Sequence, residues 1–412
     1  MLLTERHIIV PTNPRWKEID RLSNLSKNFY NRVTDIIVNF RLENKRLPNN
    51  SELYWVVKPM EEYRALPTKA AVQLLNHFLG NWYDYLKAVK SYIQNPTKFE
   101  TPPKPPKNKK EWQRALLVYP LNGISKKKLK KGIIKFSKSD IEVKTKQTNI
   151  RHVRIVPKRS HYVIEVVYET QPKLEQVDFN LVSGIDLGVN NLAALTSNKS
   201  VFIPILVNGR VLKSINQYFN KMKSQALSKL GKHSNGKKKK WSKRIARLHV
   251  KRNNKIEDYL HKASRQIINL LVREGIGTLV IGYNEGWKQG SNMRKANNQN
   301  FQSIPFHRFI SMLTYKAEMV GIKVIKQEES YTSKCSFLDN EELCHHDEYL
   351  GKRSKRGLFI SATGIKINAD INGSYNIIRK AIPDAFGEGD RGCVVHPAVL
   401  KSGFGFHHKP IL

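Results

Sequence analysis

Two aspartates stand in sequence contexts that suit the binding of a divalent cation. Asp186 is the one charged residue in the apolar segment GIDLG, where flanking glycines allow another part of the chain to approach closely. A buried carboxylate is costly unless it is paired or bound to a metal, so Asp186 is predicted to be a metal ligand. Asp370, in NADINGSYNI, lies where a helix is predicted to begin, and its charge suits the helix dipole. A simple helix cap is the alternative interpretation of Asp370.

The elements predicted around these aspartates favour the metal interpretation. Strands are predicted at LVSGIDLG, NLAALTS, SVFIPIL, TLVIG and IKVIKQ, and the last helix at NADINGSYNIIRKAI. A long basic helical region precedes TLVIG, and the helix PFHRFISMLTYKAEMVG follows it. Three strands, helix, strand, helix, strand, helix is the element order of an RNase H-like domain, which is an α/β fold.

The charge of the chain indicates a polyanionic partner. Lysine and arginine total 72 against 34 aspartates and glutamates, which gives a formal net charge of +38. Nucleic acid is the first expectation for such a chain, and an acidic membrane surface is the alternative. Only three cysteines, no recognisable targeting signal and no apolar run of membrane-spanning length together predict a reducing, cytosolic setting.

The same charge bears on the meaning of GIDLG. Sugar kinases and other actin-like ATPases also open an RNase H-like fold with a strand of this form, but they usually carry it near the N-terminus and repeat the fold. Here the segment occurs once, beyond residue 180, in a strongly basic chain. These differences favour a nuclease.

The first half of the chain is predicted to place helices between two strand-rich parts. RHIIVP alternates like a strand, and the pattern is helical from Pro14 to about Tyr92. The Pro- and Lys-rich segment NPTKFETPPKPPKNKK is predicted to be an extended connector. Strands return at KGIIKFS, HVRIVPK and YVIEVVYET, and the composition changes at QPKLEQVDFN.

The chain resembles TnpB, the RNA-guided DNA nuclease encoded by bacterial insertion sequences and related to the ancestors of type V CRISPR effectors. The resemblance covers nearly all of residues 1–380 and rests on KFETPPKPPK, GIDLGVNNLAA, LHKASRQIINLLV, YTSKCS and NADINGSYNIIRKAI. It implies a guide RNA made from the end of the element, and a double-stranded DNA target with a short transposon-adjacent motif. It also implies a prokaryotic cytosolic protein that is expected to be a monomer.

The resemblance also implies a division into domains. Residues 1–178 would contain a wedge-like β-barrel, about 1–13 and 112–178, with a helical recognition insert at about 14–111. Residues 179–382 would be a RuvC-like nuclease domain with a degenerate target-nucleic-acid-binding insert at about 335–363. The tail, 383–412, is rich in Gly, Pro and His and is predicted to be flexible.

One acid of the expected metal site is missing from its usual place. A RuvC-type nuclease holds two Mg²⁺ ions, which Mn²⁺ can replace, with three carboxylates. Asp186 and Asp370 supply two of them, but Gly282 stands where the strand TLVIG usually ends in glutamate. Glu329, at the end of the neighbouring strand IKVIKQ, is the first candidate for the third, because adjacent parallel strands are about 4.8 Å apart. The resemblance includes relatives in which a glutamate has moved to this position.

Two other glutamates remain as alternatives for the missing acid. Glu328 is adjacent to Glu329, but its side chain should face the opposite side of the strand. Glu285 lies three residues beyond Gly282, in a loop that could fold back over the site. A third alternative is that both strand-end glutamates are merely solvated and that the protein has no nuclease activity.

Basic runs are the candidate nucleic-acid contacts, with an ordinary solvated surface as the alternative. The candidates are Lys126, Lys127, Lys128, Lys130, Lys131, Lys237, Lys238, Lys239, Lys240, Trp241 and Arg244. The insert before the last helix lacks the paired CxxC motifs of a zinc ribbon, so no zinc is predicted. Cys335, Cys344 and one or both of the adjacent histidines, His346 first and His345 second, are weak candidates for zinc ligands.

The sequence therefore predicts an RNA-guided, Mg²⁺-dependent DNA endonuclease. One alternative is an RNA-guided DNA-binding protein that does not cleave, such as a repressor. The other is a DNA transposase that acts directly on the ends of the element.

Overall fold

The computed structural model describes residues 1–99, 101–232, 241–284, 286, 295–387 and 397–400. It divides the chain into two compact units, Met1–Thr170 and Gln171–Leu412. The division falls a few residues before the predicted boundary, because the segment that precedes the strand of Asp186 groups with the second unit. Within the described residues, no helix is both long enough and apolar enough to cross a membrane.

The first unit is built on an antiparallel sheet. Its strands are β1 (Leu2–Ile9), β2 (Leu117–Pro120), β3 (Ile133–Lys135), β4 (Glu142–Lys144), β5 (Ile150–Pro157) and β6 (Tyr162–Glu169). Four of them pair in the order β1-β6-β5-β2, and β3 pairs with β4 in a separate two-stranded sheet. The predicted barrel is therefore not closed in the described residues, because hydrogen bonds do not join these strands into one continuous ring.

Helices fill the predicted insert between β1 and β2. They are α1 (Trp16–Asn44), α2 (Asn50–Val57), α3 (Glu61–Arg64) and α4 (Thr68–Gln94). One further short helix, α5 (Lys126–Leu129), follows β2. The buried side chains of α1 and α4 join those of the sheet in one core. The basic connector runs without regular structure over residues 101–110, as its prolines predict, and Lys109 donates its backbone N–H to Asn31 of α1.

The second unit is built on a six-stranded mixed sheet. Its strands are β7 (Asp178–Leu187), β8 (Asn191–Ser197), β9 (Ile205–Asn208), β10 (Ile276–Gly282), β11 (Lys323–Gln327) and, near the end of the chain, β15 (Ala398–Leu400). Their order is β11-β10-β7-β8-β9-β15. Strand β10 runs parallel to both β7 and β11, whereas β8 runs antiparallel to β7.

Helices cover both faces of this sheet. They are α6 (Arg210–Lys232), α7 (Lys243–Arg273), α8 (Lys295–Ser303), α9 (Phe306–Glu318) and α10 (Ala369–Ala381). The alternation of side chains along β7 sends Ile185 and Leu187 to the core shared with α7 and α9. Val182 faces α10 instead. Asp186 and Gly184 share that second face, because they have the same parity as Val182.

Gly184 is required where α10 crosses the sheet. A Cβ atom on Gly184 would lie 2.5 Å from the backbone oxygen of Ser374 and 2.7 Å from Cγ1 of Ile378, both in α10. Only glycine allows the helix to approach this closely. Gly184 thus allows the first turns of α10 to lie beside Asp186, two residues further along β7.

Two parts of this unit differ from the sequence prediction. The third strand begins at Ile205, later than predicted, after a short irregular segment. Ala398–Leu400, inside the predicted flexible tail, pair in parallel with β9 because the edge of the sheet there offers free backbone groups to an apolar segment.

The predicted insert contains a small antiparallel sheet of β12 (Lys352–Lys355), β13 (Leu358–Ile360) and β14 (Lys366–Asn368).

Candidate metal centre

Asp186 lies near the carboxyl end of the central strand β7 and faces the start of α10. Its Cα pairs with that of Ala194 in β8. A Cβ atom on Gly373 would lie 3.1 Å from Oδ2 of Asp186, so the helix passes directly over the carboxylate. The side chain is closely surrounded by protein and only partly reaches solvent.

Glu329 lies over the position from which an acid is missing. It follows β11 by two residues, and the last pair of the ladder joins Gly282 to Gln327. A Cβ atom on Gly282 would lie 2.5 Å from Oε1 of Glu329 and 3.0 Å from its Cγ. The glutamate therefore occupies the space that any side chain at Gly282 would need. This geometry explains why β10 ends in glycine.

Asp370 is in the first turn of α10 and is held by two neighbours. Its Oδ2 accepts a hydrogen bond from Nδ2 of Asn191 at 2.8 Å, and its Oδ1 lies 3.3 Å from Nη2 of Arg353. The helix cap itself is Asn368, whose side chain accepts from the N–H groups of Asp370 and Ile371. Since Asn368 fills the cap, the carboxylate of Asp370 is not needed for that role.

The charges of the three acids act on one another. Burial raises the pKa of Asp186 well above its usual range, and the nearby charges of Glu329 and Asp370 raise it further. The guanidinium of Arg353 opposes this rise. Burial, with a contribution from Glu328, raises the pKa of Glu329 to about 7. The structure thus brings two carboxylates that are costly to ionise close to a third.

The chemistry of these residues fits a divalent cation. Oε1 of Glu329 is buried and has no hydrogen-bond partner within the described residues, which is costly for the ionised carboxylate unless a cation is bound. Carboxylate oxygens are the preferred ligands of Mg²⁺. In the described part of the chain, however, no three His, Cys, Asp or Glu side chains converge closely enough to hold a metal ion. Binding an ion would therefore require these carboxylates to turn towards one another.

The alternative acids are placed differently. Glu328 points outward, and its Oε2 accepts a hydrogen bond from Nζ of Lys380 at 2.7 Å. Although burial opposes it, the hydrogen bonds from Lys380 and Ser330 lower the pKa of Glu328. An exposed, paired carboxylate of this kind does not need a metal ion. Glu285 lies outside the described residues.

Sequence reasoning missed one arginine that contacts Asp370 and a second arginine near it in sequence. Arg353, in β12, reaches Asp370. Arg356, which follows β12, lies 2.9 and 3.0 Å from the side-chain amide of Asn190 and can donate to its oxygen once that amide is turned over. In the sequence both belong to the run KRSKR, which has no periodic pattern and resembles other basic runs of the chain. Only the fold shows that Arg353 of this run lies at Asp370.

The basic candidates fall in both units. In the first unit, Lys126 and Lys127 are exposed at α5, whereas Lys128 lies 3.2 Å from Glu142. In the second unit, Trp241 packs on His249 with ring centroids 5.6 Å apart, and Arg244 is exposed. Lys130 and Lys131 are also exposed, and Lys237, Lys238, Lys239 and Lys240 lie outside the described residues.

The weak zinc candidates contact backbone groups or one another. The buried thiol of Cys335 donates to the backbone oxygen of Cys344 at 3.7 Å. Sγ of Cys344 lies 3.4 Å from Nε2 of His346, and that nitrogen lies 2.8 Å from the backbone oxygen of Glu342. A zinc-free insert stays a prediction.

Comparisons with known proteins match two segments of the chain. Residues 165–288 match the probable-transposase family OrfB_IS605, and residues 306–377 match the Cas12f1-like TNB domain. Together the two segments contain Asp186, Glu329 and Asp370.

Two curated relatives match about half of the chain. The CRISPR-associated endodeoxyribonuclease Cas12f1 of Sulfoacidibacillus thermotolerans is 28% identical over 236 residues, which are 55% of this chain and 51% of the relative. The TnpB-like protein ORF457 of Acidianus two-tailed virus is 25% identical over 209 residues, 49% of this chain and 42% of the relative. The chain thus spans about half the length of the curated relatives that it matches.

A solved structure shares the fold over most of the chain. The protein in the cryo-EM structure of the Cas12f1–sgRNA–target DNA complex aligns with a TM-score of 0.56 and 16% identity, covering 88% of this chain and 83% of that one. The mixed α/β fold is therefore that of Cas12f1. The chain is thus similar in sequence to the OrfB_IS605 family, to a Cas12f1-like TNB domain and to a TnpB-like protein, and in fold to Cas12f1.

Proposed function

We propose that the chain is an RNA-guided endonuclease that cleaves double-stranded DNA and belongs to a transposable element. The proposal depends mainly on one observation. Strand β10 ends in Gly282, without a side chain, and the carboxylate of Glu329, which follows β11, fills the space over that glycine. A protein that had lost its metal site would have no reason to keep an uncompensated carboxylate there, because such a group is costly to bury.

The arrangement of the second unit supports a RuvC-like, RNase H-like nuclease domain. Antiparallel β7, β8 and β9 are followed by parallel β10 and β11, with α10 on the face that bears Asp186. The proposed ligands of Mg²⁺ are Asp186 from β7, Glu329 from the end of β11 and Asp370 from the start of α10, once their carboxylates turn towards one another. The wedge role of the first unit, with its helical insert, is proposed by resemblance.

The residues of the chain divide the chemical work among them. When bound, two Mg²⁺ ions supply an activated water nucleophile and stabilise the leaving oxygen of the phosphodiester. Asn191 and Arg353 orient the carboxylate of Asp370 through its two oxygens. Arg353 is about half exposed, so its remaining N–H donors are available to a phosphate of the strand being cut.

The proposed partners follow from charge and from the relatives. The net charge of +38 suits a guide RNA and its DNA target, whose phosphates the basic residues would contact while base pairing reads the sequence. The likeness in fold to a protein solved with sgRNA and target DNA supports the same partners. We extend the proposal to a guide made from the end of the element and to a short adjacent motif in the target.

An RNA-guided DNA-binding protein without cleavage is the second candidate. It is favoured by Gly282 in the usual place of an acid, and by the incomplete convergence of the three carboxylates in the described part of the chain. A transposase that acts directly on element ends is a third candidate, since one matched family is described as a probable transposase.

One experiment separates the three candidates. The protein is expressed beside the end of its element, the co-purifying RNA is sequenced, and a plasmid library with randomised sequence next to the matching target is incubated with the complex and Mg²⁺. We expect guide-dependent cleavage next to one short motif, and its loss in Asp186→Ala and in Asp370→Ala with DNA binding retained. Guided binding without cleavage by the wild type would establish the binding-only function. Reaction at element ends without RNA would establish the transposase.

A further inference from the structure

Helix α10 carries two buried asparagines that the metal site does not use. Asn372 and Asn376 are both fully buried and lie four residues apart, so they share one face of the helix. This face meets the segment from Glu329 to Phe337, which links the end of β11 to the insert. The same helix begins with Asp370 and passes over Asp186 at Gly373. The helix therefore carries one proposed ligand, Asp370, lies against a second, Asp186, and is hydrogen-bonded to the segment that follows the third, Glu329.

Asn376 holds the turn that follows Glu329. Its Nδ2 donates to the backbone oxygens of Thr332 at 2.9 Å and of Cys335 at 2.8 Å. Its Oδ1 is buried without a hydrogen-bond partner in the described residues, so the two donors alone account for its bonding. Burying an unpaired amide oxygen is unfavourable, which indicates that the donors matter at this position.

The turn that Asn376 holds fixes the backbone of Glu329. The oxygen of Glu329 accepts from the backbone N–H of Thr332 at 3.1 Å and from its hydroxyl at 2.8 Å. On the other side, the N–H of Glu329 donates to Oδ1 of Asn284 at 3.0 Å. Tyr331, which lies between Glu329 and Thr332 in the sequence, has a φ of 67°. Residues other than glycine seldom adopt this left-handed conformation, and the surrounding structure must support it.

Asn372 provides a matched comparison on the same helix. Its Oδ1 accepts from the N–H of Phe337 at 3.0 Å, and its Nδ2 donates to the oxygen of Cys335 at 2.9 Å. It is as deeply buried as Asn376 and also makes two bonds to the backbone. It shares the Cys335 carbonyl with Asn376, but its other bond goes to Phe337, beyond the turn, whereas the other bond of Asn376 goes to Thr332.

We propose that Asn376 is a positioning residue, which sets the direction of the Glu329 carboxylate over Gly282 by clamping the turn at Thr332. The inference rests on the proposed metal-dependent function. It explains how a ligand carried by an irregular segment is held in place. Residues that hydrogen-bond and orient metal ligands affect metal binding strongly, and removing one lowers metal affinity or activity by about 10- to 100-fold.

The test compares Asn376→Ala with Asn372→Ala in the guide-loaded protein. We expect both variants to melt at lower temperature than the wild type by similar amounts and to bind target DNA normally. Only Asn376→Ala should raise the Mg²⁺ concentration for half-maximal cleavage, by about tenfold or more. A second readout replaces Mg²⁺ with Fe²⁺ and ascorbate, so that radicals formed at the bound ion cut the polypeptide nearby. Cuts near residues 186, 329 and 370, mapped by mass spectrometry, should weaken in Asn376→Ala and persist in Asn372→Ala.

The outcomes distinguish this inference from the function on which it rests. If the wild type neither cleaves DNA nor shows iron-dependent cuts near the acids, the proposed function fails. If the wild type does both and the two variants have the same Mg²⁺ requirement and cuts, Asn376 is merely structural and the inference is wrong. Should Asn376→Ala not fold, Asn376→Ser keeps a short donor that cannot reach both carbonyls, and the same shift in Mg²⁺ requirement is expected of it.

Discussion

At the scale of single residues, the site depends on a glycine as much as on its acids. Gly282 is buried at the end of β10, and the side chain of Glu329 crosses above it from the neighbouring strand. A carboxylate can thus move from one strand to the next if the strand it crosses loses its side chain. Under the proposed function, a side chain at Gly282 would displace the carboxylate of Glu329.

The first prediction concerns Gly282→Ala. The new Cβ would lie 2.5 Å from Oε1 of Glu329 and 2.6 Å from Cδ1 of Ile377, so the glutamate must move. A displacement of about 1 Å in a catalytic group can cost about a hundredfold in rate. We expect single-turnover cleavage to fall by about that factor in guide-loaded protein, while DNA binding, measured by filter retention, is unchanged.

A rescue variant controls for simple damage by the alanine. In the double variant Gly282→Glu with Glu329→Ala, the acid returns to the strand and the clash with Glu329 disappears. Partial recovery over Glu329→Ala alone is expected if both positions address the same ions. Wild-type cleavage by Gly282→Ala would show that Glu329 does not lie where the structure places it during catalysis.

The residue scale also shows what sequence reasoning could and could not find. Asp186 and Asp370 are predicted ligands because one interrupts a recognisable strand and the other opens a recognisable helix. Glu329 came from strand adjacency together with a resemblance. Arg353 and Asn376 were missed, because one lies in an irregular basic run and the other resembles any polar residue of a helix. Their roles depend on tertiary contacts that no local pattern encodes.

At the scale of elements, α10 organises the second unit. It packs on β7, β8 and β10 and is clamped to the segment after β11. The strands around it were predicted because their apolar runs are long and their order is familiar. Strand β15 and the open sheet of the first unit were not predicted, since pairing partners distant in sequence decide them.

The packing of α9 on α7 gives a prediction about how stability depends on pH. Lys316 of α9 is 3% exposed and donates through Nζ to Oγ of Ser264 and the backbone oxygen of His261, both in α7. Burial, with a smaller effect of Arg265, lowers the pKa of this lysine to about 8. An unfolded chain keeps the proton to about pH 10.4. Between these values the unfolded state binds more protons, so stability rises with pH.

The measurement compares wild type with Lys316→Met by urea unfolding at several pH values above neutrality. The wild type should gain up to about 1.4 kcal/mol per pH unit relative to the variant between about pH 8 and pH 10. The other titrating groups cancel in the difference. A constant difference across this range would mean that Lys316 keeps an ordinary pKa, and thus that α7 and α9 pack less tightly in solution.

At the scale of the whole molecule, the charge predicts behaviour during purification. A net charge of +38 repels itself unless a polyanion is bound. We expect the protein to purify with RNA, visible as an absorbance ratio typical of a complex, and to unfold more readily at low salt once the RNA is digested. The sequenced RNA should be one species from the element end. Well-behaved protein free of nucleic acid at low salt would contradict this.

The whole account depends on which glutamate completes the metal site. Glu329→Gln and Glu328→Gln each remove one charge and keep the volume, from adjacent positions that face opposite ways. The decisive measurement is the cleavage rate of a guided DNA target by these two variants, with guide binding and melting temperature recorded alongside. Glu329→Gln should lose cleavage by orders of magnitude while it folds and binds normally, and Glu328→Gln should cleave at nearly the wild-type rate. Normal cleavage by Glu329→Gln would contradict the account and move the missing acid elsewhere in the chain.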